Sequence, residues 1–197
     1  MSKGDDTRRR IIEQAAAIFN QHGFEGASMS GLMRATGLKK GGIYRHFSSK
    51  QELAAAAFDY AWQAATAARM HDLAEVPNSV DKLMRFIANF IERRPSVPGG
   101  CPALNTAVEA DDGNPLLRRL ALKAFREWRK RLAIIIAVGI KKREIRRGID
   151  PKALATLIIS SLEGALTISR LEKRQHALTS VRLYLERYLE TAVRSGR

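Results

Sequence analysis

Apolar side chains recur along the chain at the three- and four-residue spacing of amphipathic helices. The pattern predicts helices over about residues 7–22, 28–37, 40–46, 49–73, 80–94, 102–110, 115–147 and 150–170, and a last one from about 179. Alternating runs of period two are absent from the sequence, and the prolines lie mostly between the periodic segments. The sequence therefore predicts an all-α fold.

The stretch from Ser28 to Lys50 predicts a helix-turn-helix. Ser28 is suited to cap the first helix, and Gly37 ends it because glycine adopts the left-handed conformation at little cost. The second helix places Ile43 and Phe47 one turn apart, on the face that packs on the domain. We expect its other side chains to point outward, where they suit phosphates and base edges: Lys39, Lys40, Gly42, Tyr44, Arg45 and His46. The alternative is a helical hairpin with a solvated basic face.

A longer series of residues surrounds this motif: Ile11-Ile12, Ala15-Ala16, Phe19, His22-Gly23-Phe24, Ser28, Ala35-Thr36-Gly37-Leu38, Gly41, Ile43-Tyr44, His46-Phe47, Lys50 and Leu53. Residues 7–62, and above all the run IYRHFSSKQEL, resemble the DNA-binding domain of the TetR family of bacterial transcriptional repressors. The resemblance implies an N-terminal three-helix helix-turn-helix domain over residues 6–66, with the motif at about 29–48. It also implies a C-terminal helical ligand-binding and dimerisation domain over residues 70–197.

The motif departs from the family at two positions. Lys39 stands where the family often has a capping Ser or Thr, and Gly42 stands where it often has Thr. Each glycine of the Gly41-Gly42 pair weakens an isolated helix by up to ~1 kcal/mol. We therefore expect this recognition helix to be loose until it meets DNA, and which bases it reads stays open.

The start of the fourth helix predicts a further DNA contact. Ser49 and Glu52 have the spacing of a capping box, in which Glu52 reaches back to the N–H of the cap residue. Lys50 lies in the first turn, where its ammonium and the helix N-terminus can hold a phosphate together. Its alternative role is that of a surface lysine. The predicted DNA contacts are thus Lys50, Ser28 and the outward residues of the recognition helix, with Tyr44 and Lys50 on phosphate.

Charge is unevenly distributed along a chain whose net charge is +14. Residues 1–50 hold nine Lys/Arg against four Asp/Glu, as expected of a DNA reader, and Arg8, Arg9 and Arg10 can lie beside DNA or be solvated. Residues 118–147 hold twelve Lys/Arg against two acidic residues. We interpret this second stretch as a solvated face, with attraction of an anionic ligand or of DNA as the alternative.

The two last predicted helices carry wide apolar faces. The TetR resemblance implies that they form a four-helix interface between two copies, so that the protein is a homodimer on a palindromic operator. It also implies a small-molecule inducer bound in the C-terminal region. Six aromatic residues are candidates to line that pocket, and plain core packing is the alternative for each: Phe58, Trp62, Phe86, Phe90, Phe125 and Trp128.

A single cysteine, Cys101, excludes an intramolecular disulfide and fits a reducing compartment. It is either a buried small hydrophobe or a sensor thiol, since it precedes a short helix whose N-terminus would lower its pKa. Its surroundings, GGCPALNTAVEADDGNP, resemble a subgroup of TetR regulators, some of which respond to electrophiles. No apolar segment follows the charged N-terminus, and the longest apolar run, residues 132–140, is too short to span a bilayer. We expect a cytoplasmic protein without a membrane partner.

Catalytic and metal-binding patterns are absent from the sequence. The four histidines are scattered, and no phosphate-binding loop of the Walker type occurs. Glu109 with Asp111-Asp112 hints at a cation site, but solvated carboxylates are the more ordinary interpretation. We therefore predict no enzyme, no metal and no cofactor. The predicted function is a sequence-specific regulator, a repressor that an inducer releases. The alternatives are a non-inducible DNA-binding protein or activator of the same fold, or an all-helical ligand carrier or enzyme.

Overall fold

The computed structural model describes residues 3–93, 96–111 and 113–196. Over these residues the chain forms nine α-helices and a closing π-helical turn: α1 (Lys3–Gly26), α2 (Met29–Thr36), α3 (Lys40–Tyr44), α4 (Lys50–Arg69), α5 (Ser79–Glu92), α6 (Pro102–Ala110), α7 (Pro115–Lys141), α8 (Pro151–Glu172), α9 (His176–Tyr188) and the turn Leu189–Val193. The all-α prediction is confirmed. The predicted end of the fifth helix at Arg94, and Asp112 of the acidic pair, lie outside the described residues.

The chain divides into two compact units, one of Met1–Thr66 with Pro95–Ala124 and one of Ala67–Arg94 with Phe125–Arg197. This differs from the contiguous segments 6–66 and 70–197, because the segment that contains α6 returns to the first unit. There Ala110 and Leu117 pack with Ala54 in a small apolar cluster. The functions of the two predicted domains stay predictions.

The core of the first unit holds the helix-turn-helix together. Ile11 of α1, Leu32 of α2 and Ile43 of α3 are buried with Phe47 and Leu53 in one cluster. Each large apolar side chain contributes about 1.5–3 kcal/mol when it leaves water. Burial of these side chains therefore fixes the short helices, whose own propensity is weak.

The seventh helix ends earlier than the predicted residue 147. Gly139 stays helical, but α7 stops at Lys141, and Arg143 takes a left-handed φ of 60°. The N–H of Ile145 then bonds back to the carbonyl of Gly139 at 3.2 Å. A Cβ on Gly139 would lie 2.7 Å from Ile145 Cδ1 and 2.7 Å from Ser79 Cβ, so glycine permits this reversal.

Glu144, in the same turn, supports the start of α5. Its Oε2 accepts the N–H of Ser79 at 2.8 Å. Burial raises the pKa of Glu144, but the hydroxyl and N–H of Ser79 and the charges of Lys142 and Lys82 outweigh it, so the pKa lies below its ordinary 4.5. The carboxylate is therefore a charged cap that links the end of α7 to α5.

The last two α-helices leave apolar side chains in water. α8 extends to Glu172, beyond the predicted residue 170, and α9 begins at His176 rather than near 179. The exposed apolar residues on α8 and α9 are Leu157, Ile168, Leu171, Leu183, Tyr184 and Tyr188. Of the described helices, α8 is long and apolar enough to cross a membrane, yet 44% of its most apolar 18-residue segment is buried inside the protein. Core helices of other helical proteins meet the same two criteria of length and composition.

Candidate nucleic-acid interface

The first helix of the motif is capped as its sequence predicts. Ser28 has extended backbone angles, and its Oγ accepts the N–H of Gly31 at 3.0 Å. Gly37 ends α2 with a φ of 67°. The turn that leads into α3 is therefore set by two local rules, a hydroxyl cap and a left-handed glycine.

The recognition helix α3 is short. It covers Lys40–Tyr44 rather than residues 40–46, because the N–H of His46 bonds to the carbonyl of Ile43 and tightens the last turn. Ile43 and Phe47 are buried, with 1% and 2% of their surfaces exposed. Lys39 precedes the helix in an extended conformation and makes no side-chain cap. The predicted packing face with Ile43 and Phe47 and the predicted lack of a side-chain cap are both confirmed.

The outer face of α3 differs from the prediction at two positions. Lys39, Lys40, Tyr44 and Arg45 are exposed, whereas Gly42 and His46 are half-buried. A Cβ on Gly42 would meet Leu38 Cβ at 3.5 Å, so this residue faces the turn before α3 as well as solvent. Gly42 and His46 are therefore only partly accessible on this face, and their DNA contacts stay predictions.

Two contacts hold the aromatic ring of Tyr44 on this face. Its hydroxyl donates to Met29 Sδ at 3.8 Å, and Lys40 Nζ lies 5.8 Å from the ring centroid. A cation over an aromatic face at an exposed site contributes about 0.5–1 kcal/mol. The side chains of Tyr44 and Lys40 thus hold each other in place, and both remain accessible to a ligand.

The start of α4 brings a second cation beside the motif. The N–H of Glu52 bonds to Ser49 Oγ at 3.0 Å, as predicted. However, the Glu52 carboxylate accepts the N–H and the hydroxyl of Ser48, at 2.7 and 2.6 Å, and not the N–H of Ser49. These two bonds from Ser48 lower the pKa of Glu52. Lys50 Nζ lies 4.4 Å from the ring centroid of Phe24.

The N-terminal arginines of α1 have different surroundings. The guanidinium of Arg8 lies 4.8 Å from the ring centroid of Phe47, the residue that anchors the recognition helix. Arg9 pairs with Glu13 at 2.9 Å. Of these two arginines, Arg8 is therefore the one held against the helix-turn-helix.

Glu109 braces the first unit in a way that the sequence did not reveal. At Gly23 the helix α1 breaks, with a φ of 73°, which interrupts its backbone hydrogen bonds. Glu109 of α6 accepts the N–H of Phe24 at 2.8 Å and that of Glu25 at 2.9 Å. Only Gly23 signals a break that needs a cap, and nothing in the sequence points to an acceptor 84 residues away. Glu109 is exposed to solvent, as expected, and it also accepts these two backbone hydrogen bonds.

The helix α6 also carries Cys101 and a second link to α1. Asn105 Nδ2 donates to the carbonyl of Asn20 at 3.0 Å. Cys101 lies directly before α6 and is 2% exposed. Its burial favours the packing role, and the sensor role stays a prediction.

The six aromatic pocket candidates do not form one group. In the second unit, the ring centroids of Phe86, Phe90 and Phe125 lie 6.0, 6.0 and 6.2 Å from that of Trp128. In the first unit, Phe58 lines a cavity of about 30 Å³. A space of that size holds water rather than an inducer.

Trp62 is the sixth aromatic candidate and is half-buried in α4. Across the described ranges, no three His, Cys, Asp or Glu side chains gather as metal ligands.

Comparisons with known proteins extend over the whole chain. Residues 11–57 match the family described as bacterial regulatory proteins, tetR family. Residues 79–195 match the family described as tetracyclin repressor-like, C-terminal domain. Together the two matches cover both the helix-turn-helix and the C-terminal helices.

Three individual proteins illustrate the similarity. A TetR transcriptional regulator from Chloroflexus aurantiacus J-10-FL is 42% identical, with a TM-score of 0.95 and 100% of both chains covered. The HTH-type transcriptional repressor DhaR of Mycobacterium sp. (strain GP1) is 26% identical over 87% of this chain and 86% of its own. The TetR family regulator CifR, solved as a cysteine mutant with 26-bp operator DNA, is 20% identical with a TM-score of 0.80, over 93% of this chain and 95% of its own. This last likeness shows the fold alone. By its matching domains and its full-length similarity to a solved regulator, the chain belongs to the TetR family of DNA-binding transcriptional regulators.

Proposed function

We propose that this regulator is a homodimeric cytoplasmic repressor that a small molecule releases from a palindromic operator. The observation that carries the proposal is the face of α3. Exposed Lys40, Tyr44 and Arg45 are presented on a helix whose opposite side is fixed by Ile43 and Phe47. A short helix held in this way can enter the major groove with its polar side chains against base edges and phosphates.

The proposed DNA contacts fall into two classes. Lys50 and Tyr44 contact phosphate, which positions the domain without reading sequence. Lys40, Gly42 and His46 face the bases, with Ser28, Lys39 and Arg45 at the margin of the contact. The half-buried positions of Gly42 and His46 make Lys40 the strongest candidate for a base contact.

A dimer is supported by the apolar side chains that α8 and α9 leave in water. Leu171 and Tyr184 are 79% and 68% exposed, and a soluble protein gains free energy by covering such side chains. In a two-fold symmetric dimer on DNA, the two recognition helices enter successive major grooves about 34–36 Å apart. Two half-sites in a palindrome follow from that symmetry.

The proposed inducer acts through α4. This helix begins at Lys50, beside the motif, and ends at Arg69, whose guanidinium lies 4.2 Å from the ring centroid of Trp128. Twenty residues of α-helix span about 30 Å. A ligand among the aromatic side chains around Trp128 would act at one end of the helix whose other end carries the proposed phosphate contact. It releases DNA if it binds the released state more tightly than the DNA-bound state.

The test is binding of the purified protein to the DNA that flanks its own gene, near physiological salt and with excess random competitor. We expect tight, competitor-resistant binding by the wild type and its loss in Tyr44→Ala and Lys40→Ala. Lys141→Ala, which removes an exposed lysine at the end of α7, is the matched control and should bind as the wild type does.

Lys50→Gln distinguishes a contact that positions the domain on phosphate from contacts that read the bases. It should weaken specific and random DNA alike and reduce the slope of log affinity against log salt by about 1. Equal binding to random DNA, or no effect of Tyr44→Ala and Lys40→Ala, would refute the recognition-helix assignment. Specific binding that no compound in an inducer screen weakens would favour the non-inducible alternative.

A further inference from the structure

An open groove of about 660 Å³ lies in the second unit, between α7 and the start of α8. Its volume falls within the range of small-molecule sites, about 300–1,000 Å³. The groove is separate from the aromatic group around Trp128 and from the helix-turn-helix, so neither the proposed DNA contacts nor the proposed inducer pocket accounts for it.

The floor of the groove is apolar. Ala133, Ile134 and Ala137 follow one another along one side of α7, and Pro151 adds the first turn of α8. Ile134 is 52% exposed, so a large aliphatic side chain stands half in water. A ligand with a hydrocarbon or aryl body would cover it and so gain from burial.

The rim of the groove is cationic. Arg126, Arg129 and Lys130 come from α7, and Lys152 comes from α8; all four are exposed. The acidic residue of the lining, Asp150, turns its carboxylate to the start of α8, where it accepts the N–H of Lys152 at 2.8 Å. The carboxylate is thus bound to the helix N-terminus, and the rim keeps an excess of positive charge.

The apolar floor and the cationic rim together decide which kind of ligand or partner the groove suits. Double-stranded DNA would match the cations but would leave the apolar floor unused. A second copy of this strongly basic chain, related by a two-fold axis through the groove, would bring the same cations against the rim. A bilayer surface favours a long apolar face on one helix, whereas this floor consists of Ala133, Ile134, Ala137 and Pro151.

We propose that the groove binds a soluble amphipathic anion, with an alkyl or aryl body on the floor and a carboxylate, sulfonate or phosphate head on the rim. Arg126 and Lys130 hold the head, since they are one turn apart and both line the groove. The proposal does not depend on inducible repression.

The test uses isothermal titration calorimetry of the full-length protein with dodecanoate, kept below its micelle-forming concentration. Saturable binding of dodecanoate is expected. Dodecyltrimethylammonium, with the same tail and the opposite charge, and acetate, with the head and no tail, should bind much more weakly. Absence of dodecanoate binding, or equal binding of the cationic analogue, overturns the proposal.

Matched double variants locate the site. R126Q/K130Q removes two rim charges and should weaken dodecanoate binding about fivefold, the effect of two exposed ion pairs. R119Q/R131Q removes two exposed charges of α7 that do not line the groove and should bind dodecanoate as the wild type does. Equal affinities of the two variants for dodecanoate overturn the assignment.

A variant of the apolar floor distinguishes a bound anion from a second copy of the chain. Ala137→Phe places a ring on the floor and should abolish dodecanoate binding while sedimentation shows an unchanged oligomeric state. A change of oligomeric state in this variant identifies the groove as an interface between copies and overturns the proposal. A loss of random-DNA affinity in R126Q/K130Q but not in R119Q/R131Q assigns the rim to nucleic acid, with the same consequence.

Discussion

The buried ion pair of the second unit gives the sharpest prediction about stability. Arg69 Nη2 lies 3.7 Å from Glu163 Oε1, and each side chain is 6% exposed. The guanidinium also lies 4.2 Å from the ring centroid of Trp128 and 4.8 Å from that of Phe90. Glu163→Gln removes the negative charge of Glu163 and keeps the shape of its side chain, while Arg69 stays as a buried cation between two rings.

The expected loss of stability in Glu163→Gln depends on the interactions that Arg69 keeps. Breaking a buried pair by removing one partner costs about 3–5 kcal/mol, because an uncompensated charge stays in the interior. The cation–π contacts with Trp128 and Phe90 remain in Glu163→Gln, so that Arg69 keeps two favourable contacts and the cost lies at the lower end of this range. We therefore expect the free energy of unfolding to fall by about 3 kcal/mol. For a chain of this size the melting temperature would fall by about 10 °C.

The assay is urea denaturation followed by circular dichroism at one fixed protein concentration, since the stability of a dimer depends on it. Glu92→Gln is the control, because Glu92 pairs with Arg182 at the surface with 61% of its side chain exposed, and it should cost less than about 1 kcal/mol. The double variant R69M/E163L should lie within about 1 kcal/mol of the wild type, because it removes both charges. A cost of Glu163→Gln as small as that of Glu92→Gln, or a double variant as unstable as the sum of its single variants, would refute the reasoning.

Further predictions concern single contacts. In the folded chain the pKa of Glu144 lies below its ordinary 4.5. Its contribution to the free energy of unfolding is therefore present above pH 4.5 and is lost as the pH falls through the folded pKa. Glu144→Gln should flatten the plot of stability against pH below pH 4.5 and leave its shape near neutrality unchanged. Gly139→Ala should cost about 1–3 kcal/mol in urea denaturation, since its Cβ would overlap Ile145 and Ser79, and an unchanged midpoint would contradict this. A Cβ at Gly41 would meet nothing within 4 Å, so Gly41→Ala should stabilise the first unit by up to ~1 kcal/mol in urea denaturation, and a lower midpoint would contradict this.

The parts of the interface that the sequence predicts correctly are governed by local rules. Ser28 caps its helix because a hydroxyl three residues before an unpaired N–H can reach it, and Gly37 ends the helix because its left-handed φ has little steric cost. Ile43 and Phe47 are buried because a four-residue spacing puts them on one face. Each rule needs only a few neighbouring residues, so each can be recognised in the sequence.

The parts that the sequence does not predict depend on distant partners. Glu109 caps the break at Gly23 through a contact across 84 or 85 residues, and no periodicity encodes such a pair. The end of α7 depends on Ile145 folding back over Gly139, where the amphipathic pattern alone continues to residue 147. In both cases the error comes from tertiary packing that overrides a local pattern.

The shortness of α3 bears directly on how this regulator reads DNA. Five residues with two glycines and no side-chain cap are far below the length at which a helix is stable by itself, about 12–15 residues. Its position is therefore set by the burial of Ile43 and Phe47, while the outer residues gain little from helix formation. Binding must then include the free-energy cost of fixing the backbone of α3 together with the exposed side chains of Lys40 and Arg45. A variant such as Gly41→Ala, which reduces that cost in the free protein, should bind specific DNA more tightly without any new contact.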